Sequence, residues 1–168
     1  GELEMVAPRR AKPPLHWSDL TVDERKEKVV ELGLPAFRAD QISRQFFGRL
    51  SNDPQSWTDI PADLRPAVQA QLFPELLTSV KALDCDGGTT VKQVWKLFDG
   101  AMVESVLMRY PDRVTMCVSS QAGCGMNCPF CATGQAGLTR NMSAAEIVDQ
   151  VVRANRAIAE GQLGGKKA

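Results

Sequence analysis

The first half of the chain places apolar residues at the spacing of short amphipathic helices. Thr21 begins a capping box that Glu24 completes, and Gly33 stands where a glycine would end a helix of about three turns. Two more stripes, with apolar residues four positions apart, predict a second and a third helix: Ile42, Phe46 and Leu50, then Leu64, Val68 and Leu72. The pattern predicts a small helical domain over residues 17–77, behind a proline-rich, extended lead-in over residues 1–16.

The pattern changes from helical to strand-like near residue 78. Residues 90–98 and 102–109 are β-prone, and Asp99-Gly100 between them is a strong signal for a β-hairpin turn. We therefore expect residues 78–112 to form a β-hairpin region that links the helical domain to the last third of the chain.

The second predicted strand carries a carboxylate among apolar side chains. Because side chains alternate between the two faces of a strand, Glu104 shares a face with three apolar residues: Met102, Val106 and Met108. The residues alone leave a structural interpretation open, in which this face is exposed to solvent or Glu104 pairs with Lys92 or Lys96 across the hairpin. Taken by itself, the pattern slightly favours that interpretation.

A third predicted strand, about residues 113–118, leads into a cysteine-rich loop. Ser143 and Glu146 then form a second capping box, which opens a helix with one apolar stripe: Ile147, Val148, Val151 and Val152. This order predicts an α/β fold, because strand, loop and helix make the first β–α unit of such a domain. A (β/α) barrel needs about 200 residues, so we expect residues 113–168 to be the truncated start of a partial barrel.

Composition and charge change this picture little. Hydrophobic residues make up 43% and charged residues 24%, as in a soluble globular protein. We expect no membrane segment and a cytoplasmic protein, because the chain has neither a run of about 18 apolar residues nor an apolar signal at its N-terminus. Twenty basic residues balance twenty acidic ones, so binding to nucleic acid would need a local basic patch.

The cysteines carry the strongest chemical signal. Four of the five lie between Cys117 and Cys131, a crowding typical of metal or redox chemistry rather than of a disulfide scaffold. Thiolates of Cys124, Cys128 and Cys131 can hold one [4Fe–4S] cluster and leave one iron open to a chelating ligand. Zinc is the alternative, since Cys117 could supply a fourth ligand, whereas the single histidine, His16, lies at the other end of the chain.

The spacing of these cysteines resembles a known signature. Cys124, Cys128 and Cys131, with Phe130 before the last of them, match the radical S-adenosylmethionine (SAM) motif Cys-x-x-x-Cys-x-aromatic-Cys. The resemblance implies that a [4Fe–4S] cluster and SAM are the cofactors and that these three cysteines hold the cluster. Because the signature reports the cofactor and not the target, a radical SAM enzyme with another substrate stays open at this point.

The flanking residues narrow the resemblance. Residues 117–124 (Cys-Val-Ser-Ser-Gln-Ala-Gly-Cys) and 131–134 (Cys-Ala-Thr-Gly) are similar to the RlmN/Cfr family of RNA adenine methyltransferases, and the similarity extends upstream through Glu104 to residues 35–39. It implies methylation of C2 of a specific adenine in 23S rRNA and in some tRNAs, with C8 methylation as the alternative within the family.

The resemblance also implies roles for two residues outside the triplet. By position, Cys117 matches a cysteine that resolves a covalent enzyme–RNA adduct by forming a disulfide bond, and Glu104 matches a proton acceptor. On this basis we interpret Glu104 as a general base, for which a carboxylate on an apolar face is suited. Cys85 matches nothing in the family and is expected to be structural.

The rest of the enzyme that the resemblance implies lies outside this sequence. The SAM-binding residues and the methyl-carrying cysteine of the family are expected beyond Ala168, so we expect the chain alone to be inactive. The implied partners are 23S rRNA, tRNA and an electron donor such as flavodoxin, and we expect a monomer. The competing hypothesis from another class is a non-enzymatic, zinc-stabilised RNA-binding module.

Overall fold

The chain folds into a helical first part and a strand-rich second part. The computed structural model describes residues 12–123 and 138–161. Its α-helices are α1 Val22–Glu31, α2 Arg38–Ser43, α3 Arg65–Leu72 and α4 Ala144–Ala159, and a π-helical turn, Arg44–Gly48, continues α2. Its 3₁₀ turns are Trp17–Asp19, Pro54–Ser56 and Asp86–Gly88. Its strands are β1 Thr78–Cys85, β2 Thr90–Lys96, β3 Met102–Arg109, β4 Val114–Cys117, β5 Gln121–Gly123 and β6 Leu138–Asn141.

The predicted helix boundaries in the first part follow local signals. Thr21 caps α1 by accepting a hydrogen bond from the backbone N–H of Glu24 at 3.2 Å, and the Glu24 carboxylate accepts one from the N–H of Thr21 at 3.0 Å. Gly33 follows the helix with a φ of +87°, a conformation that favours glycine. The second helix ends at Gly48, earlier than its apolar stripe predicts, because Leu50 has a φ of +58° outside the helix.

An aromatic cluster forms the core of the helical part. Phe73 lies at its centre, with ring centroids 5.3 Å from Phe46, 5.0 Å from Trp57 and 6.0 Å from Trp17. Val152 of α4 is buried in the same cluster, so the helical part shares its core with a helix from the other end of the chain. The predicted domain limit at residue 77 stays a prediction, and this contact lies across it.

The strands form a four-stranded antiparallel sheet in the order β1-β2-β3-β4 and a separate antiparallel pair, β5-β6. The predicted hairpin is present, with Asp99 and Gly100 in the turn between β2 and β3. The predicted third strand is present as β4, and a further short strand, β5, begins at Gln121. The predicted α/β class is confirmed as a fold that mixes helix and sheet, and every strand pair among the described residues is antiparallel.

One face of the sheet packs against α4. Leu107 of β3 forms a buried cluster with Ala154 and Ile158 of α4, and three further sheet residues pack against it: Val91, Val114 and Met116. Because side chains alternate along a strand, Glu104 points to the opposite face of the sheet from Leu107. The face with Glu104 is therefore the one that α4 leaves uncovered.

The apolar stripe predicted for the last helix is only partly correct. Val152 is buried, but Val151 is 36% exposed. The helix instead buries three polar side chains, those of Glu146, Asp149 and Gln150. These side chains have partners in other parts of the chain or on the next helical turn, which a hydrophobic pattern within the helix cannot reveal.

Within the described ranges, 12–123 and 138–161, no helix is both long enough and apolar enough to span a membrane.

His16 generates a pH-dependent prediction for stability. Its buried ring accepts a hydrogen bond at Nδ1 from the N–H of Ser18, at 3.1 Å. Burial lowers the pKa of His16 below its ordinary value of 6.5, although Asp149 and Asp19 act in the opposite sense and Arg153 and Arg25 reinforce the lowering. Since the unfolded chain takes up the proton more readily, the stability that His16 contributes should be complete above pH 6.5 and decrease as the pH falls below it.

Urea unfolding at a series of pH values measures this dependence. In the variant His16→Asn, the amide oxygen can still cap the 3₁₀ turn but the side chain does not titrate. We expect this variant to be less stable at neutral pH, because it loses the ring contacts, and to depend less on pH between about 5 and 7. An equal pH dependence in both proteins would show that another group is responsible.

Candidate active site

The three cysteines predicted to hold the cluster lie outside the described residues, but the chain on both sides of them is described. Strand β5 ends at Gly123, directly before Cys124, and β6 begins at Leu138. Gly123 and Leu138 are partners in the antiparallel β5-β6 pair. The two ends of the cysteine segment are therefore held side by side.

Arg140, whose side chain is 8% exposed, fixes the far end of this segment. Arg140 of β6 donates two hydrogen bonds to the Glu146 carboxylate, at 2.7 and 2.8 Å, and two to the Asp99 carboxylate, at 2.7 and 3.3 Å. Its guanidinium group also lies 5.0 Å from the ring centroid of Phe98. The hydrogen bonds that Arg140 donates to Glu146 and Asp99 outweigh desolvation and raise the pKa of Arg140. Arg140 thus connects β6 to the first turn of α4 and to the β2–β3 turn.

The two predicted catalytic residues outside the cluster lie on the same face of the four-stranded sheet. Cys117, the last residue of β4, pairs with Val106 of β3, and Glu104 is two residues from Val106. Such diagonal neighbours on one face are about 7–8 Å apart. The Cys117 side chain is exposed and its thiol is free. A thiol and a carboxylate are thus presented together, on the face that α4 does not cover.

Glu104 forms the cross-hairpin ion pair that the structural interpretation anticipated. Its carboxylate lies 3.0 Å from Nζ of Lys92 on β2, and the Glu104 side chain is only 18% exposed. Lys92 therefore neutralises a carboxylate that is largely removed from water. The pair holds the carboxylate towards β2, on the side of β3 opposite to β4.

The backbone after Cys117 is held by a glutamine of α4. The N–H of Ser119 donates to Oε1 of Gln150 at 2.9 Å, and Nε2 of Gln150 donates to the carbonyl oxygen of Ser119 at 2.8 Å. The Ser119 hydroxyl donates to the backbone carbonyl oxygen of Glu104 at 2.6 Å. The stretch between Cys117 and β5 is thus fastened to both α4 and β3.

The remaining candidate ligands are not gathered into a metal site. Cys85 is exposed with a free thiol, at the opposite edge of the sheet from Cys117. His16 serves as a cap of the first 3₁₀ turn. Among residues 12–123 and 138–161, no group of three or more histidine, cysteine, aspartate or glutamate side chains could hold a metal ion.

The resemblance implied Glu104 and Cys117, whereas sequence reasoning missed Arg140, Ser119 and Gln150. One signal was available: Glu146 and Gln150 are four residues apart and so share a face of α4. The sequence of α4 alone does not show that these two side chains are buried and hydrogen-bonded, because their partners lie in β6 and after β4.

Replacing Arg140 tests the buried ion pair. In Arg140→Met, the carboxylate of Glu146, which is 0% exposed, loses its cation, so we expect the free energy of unfolding to fall by about 3–5 kcal/mol. The matched control is Arg113→Met, because Arg113 pairs with Asp112 at the surface, and a loss within about 1 kcal/mol is expected. Urea unfolding measures both values, and equal losses would contradict the role given to Arg140.

The chain is similar in sequence to several known proteins. No family model matches the chain. The chain is 60% identical over 169 residues to a Streptomyces coelicolor protein described as "Probable dual-specificity RNA methyltransferase RlmN", a match that covers 100% of the chain and 46% of the relative. Proteins of the same description from Rhodococcus opacus and Thermobifida fusca are 61% and 60% identical, covering 97% and 98% of the chain and 44% and 45% of the relatives. The chain thus spans less than half the length of these curated relatives.

A solved structure gives the same result for the fold. The crystal structure of a radical SAM methyltransferase from Sphaerobacter thermophilus superposes with a TM-score of 0.80 at 42% sequence identity, over 92% of this chain and 44% of that one. Sequence and fold therefore agree over nearly the whole chain. Over 92–100% of its length, the chain is thus similar to a radical SAM methyltransferase of known structure and to proteins described as RlmN.

Proposed function

We propose that this chain is part of an enzyme that methylates C2 of a specific adenine in 23S rRNA and in some tRNAs. The observation that carries the proposal is the placement of Cys117 and Glu104 on one open face of the sheet, with β5 leading from that region to Cys124. The relatives described as dual-specificity RNA methyltransferases support methylation of RNA as the activity.

The proposed cofactors are a [4Fe–4S] cluster and SAM. Three thiols within the stretch from Cys124 to Cys131 suit a cubane cluster with one open iron, and the paired ends of the segment, Gly123 and Leu138, suit a loop that wraps one group. Cys124, Cys128 and Cys131 would hold the cluster, which supplies the electron that cleaves SAM reductively. The residues that bind the rest of SAM are proposed to lie in the part of the relatives that this chain does not span.

Glu104 and Cys117 would act on the RNA adduct. The Glu104 carboxylate would accept the proton that leaves C2 of the adenine. The Cys117 thiolate would attack the sulfur of the methyl-carrying cysteine, forming an S–S bond and breaking the bond from that sulfur to the methylene carbon. The electron pair of the broken bond stays on the carbon, which takes a proton and becomes the methyl group, and a thiol reductant then restores both cysteines.

The proposed partners follow from this chemistry. They are 23S rRNA and tRNA as substrates and a one-electron donor such as flavodoxin. That the enzyme is cytoplasmic and monomeric stays a prediction.

Metal content separates the proposal from the zinc-stabilised module. After anaerobic reconstitution of the complete enzyme, we expect about four irons per chain, and Cys124→Ala should abolish iron binding. Cys85→Ala is the matched control and should keep the wild-type iron content, because Cys85 is exposed and lies at the opposite edge of the sheet from Cys117. Stoichiometric zinc without iron uptake would reject the proposal in favour of the RNA-binding module.

Product analysis tests the roles of Glu104 and Cys117. In the complete enzyme, Glu104→Gln and Cys117→Ala should keep the iron and the SAM cleavage but lower RNA methylation by at least about 10²-fold, since general acid–base groups contribute that much or more. Glu31→Gln, at an exposed position of α1, is the control.

Mass spectrometry of nucleosides from the digested RNA gives both the yield and the position of the methyl group. Methylation at C8 would replace the C2 assignment with the alternative chemistry of the family. Wild-type turnover in Glu104→Gln would remove Glu104 from the mechanism.

A further inference from the structure

Gln150 of α4 has an unusual position for a primary amide. It is 1% exposed, and it lies where α4 faces the junction between β4 and β5. Its Nε2 group donates to the Ser119 carbonyl oxygen, to the Glu146 carbonyl oxygen at 3.2 Å and towards Met142 Sδ at 3.9 Å, while its Oε1 accepts from the Ser119 N–H. Burying an amide is unfavourable unless such bonds are made, so these contacts account for its place in the core.

The segment that Gln150 holds begins where the sheet ends. The ladder between β3 and β4 stops at the pair of Cys117 and Val106. If the register continued, Ser119 would lie opposite Glu104, and its hydroxyl does bind the Glu104 carbonyl oxygen. The backbone N–H and C=O of Ser119 instead form hydrogen bonds with the Gln150 side chain. Its amide thus makes the two bonds that the backbone of a neighbouring strand would make. This contact fixes the direction of the chain immediately after Cys117.

We infer that Gln150 is a positioning residue for Cys117. It contacts neither the thiol nor the Glu104 carboxylate, and it acts through Ser119 to keep the thiol at a fixed distance from that carboxylate. The inference rests on the proposed function for what Cys117 does, and it adds a residue that sets the geometry of the step in which the RNA adduct is resolved. A misplacement of about 1 Å at a reacting atom can cost about 10²-fold in rate.

The substitution Gln150→Glu tests this role with almost no change of shape. The ionised carboxylate can accept from the Ser119 N–H but repels the Ser119 carbonyl oxygen, whereas the protonated carboxyl group can donate to that oxygen and restore both bonds. Burial favours the protonated form, so the defect should appear at alkaline pH and disappear as the pH is lowered. Gln93→Glu is the matched control, because Gln93 holds Ser79 and Lys81 at the other edge of the sheet.

The first measurement is the alkylation rate of each cysteine in the complete, reconstituted enzyme, resolved by peptide mass spectrometry. Cys85, an exposed free thiol at the other edge of the sheet, serves as the internal reference, so the rate of Cys117 is expressed as a ratio to the rate of Cys85. We expect Gln150→Glu to change this ratio several-fold at alkaline pH and to return to the wild-type ratio at low pH. Gln93→Glu should match the wild type throughout.

The second measurement is the amount of covalent enzyme–RNA adduct. Gln150→Glu at alkaline pH should resolve the adduct about 10²-fold more slowly, with unchanged iron content. A wild-type alkylation ratio and wild-type resolution in this variant would overturn the inference. If Cys117→Ala itself accumulates no adduct, the proposed function fails, and the alkylation ratio still decides whether Gln150 positions Cys117.

The shorter amide Gln150→Asn covers the case in which Gln150→Glu does not fold. It lacks one methylene group, so its amide cannot make both bonds to the Ser119 backbone in the present geometry, and it carries no charge. We expect it to keep its iron, to change the alkylation ratio and to resolve the adduct more slowly than the wild type. A folded Gln150→Asn with the wild-type ratio and wild-type resolution would assign Gln150 to stability alone and overturn the inference.

Discussion

The buried contact between Arg140 and Glu146 is the constraint on which the second half of the structure depends. Glu146 is the third residue of α4 and closes its capping box with Ser143. Its carboxylate therefore accepts hydrogen bonds both from the start of the helix and from Arg140 of β6. Removing two charges from water is costly, and the cost is offset here by paired hydrogen bonds and by Asp99. Once Arg140 is placed, β6, the β2–β3 turn and the start of α4 are placed with it.

Gln150, one turn after Glu146, holds the chain on the other side of the cysteine segment in a similar way, through hydrogen bonds to Ser119. Glu146 holds the strand that comes after this segment, and Gln150 holds the backbone that precedes it. A single helix therefore fixes both approaches to the segment with directional bonds rather than with apolar packing. Hydrogen bonds with fixed geometry define position more narrowly than contacts between aliphatic side chains, which tolerate repacking.

Local signals explain how much of the fold could be predicted from the sequence. The capping boxes at Thr21 and Ser143 and the turn at Asp99-Gly100 act within a few residues, and all three are present in the structure. Strand β1 gave no signal, because every one of its residues is exposed and no alternation of apolar and polar positions results.

The candidate site could be predicted only in part, for a related reason. Cys117 and Glu104 were suggested by resemblance, and strand periodicity then explains why they share a face. Ser119 and Gln150 are 31 positions apart in the sequence, and no local pattern in either segment predicts that they form hydrogen bonds with each other. Buried polar partners of this kind become visible only when the tertiary structure brings them together.

The contact between Asp19 and α4 has a consequence for how the protein is made. The Asp19 carboxylate accepts a hydrogen bond from the N–H of Ala145, 126 positions later in the chain. Val152, also from α4, packs into the aromatic core of the N-terminal helices. During translation, the N-terminal helical segment leaves the ribosome before Ala145 and Val152 have been made. Its core can therefore be completed only when almost the whole of this sequence has emerged. Long-range closure of this kind slows folding and leaves apolar surface open to chaperones in the meantime.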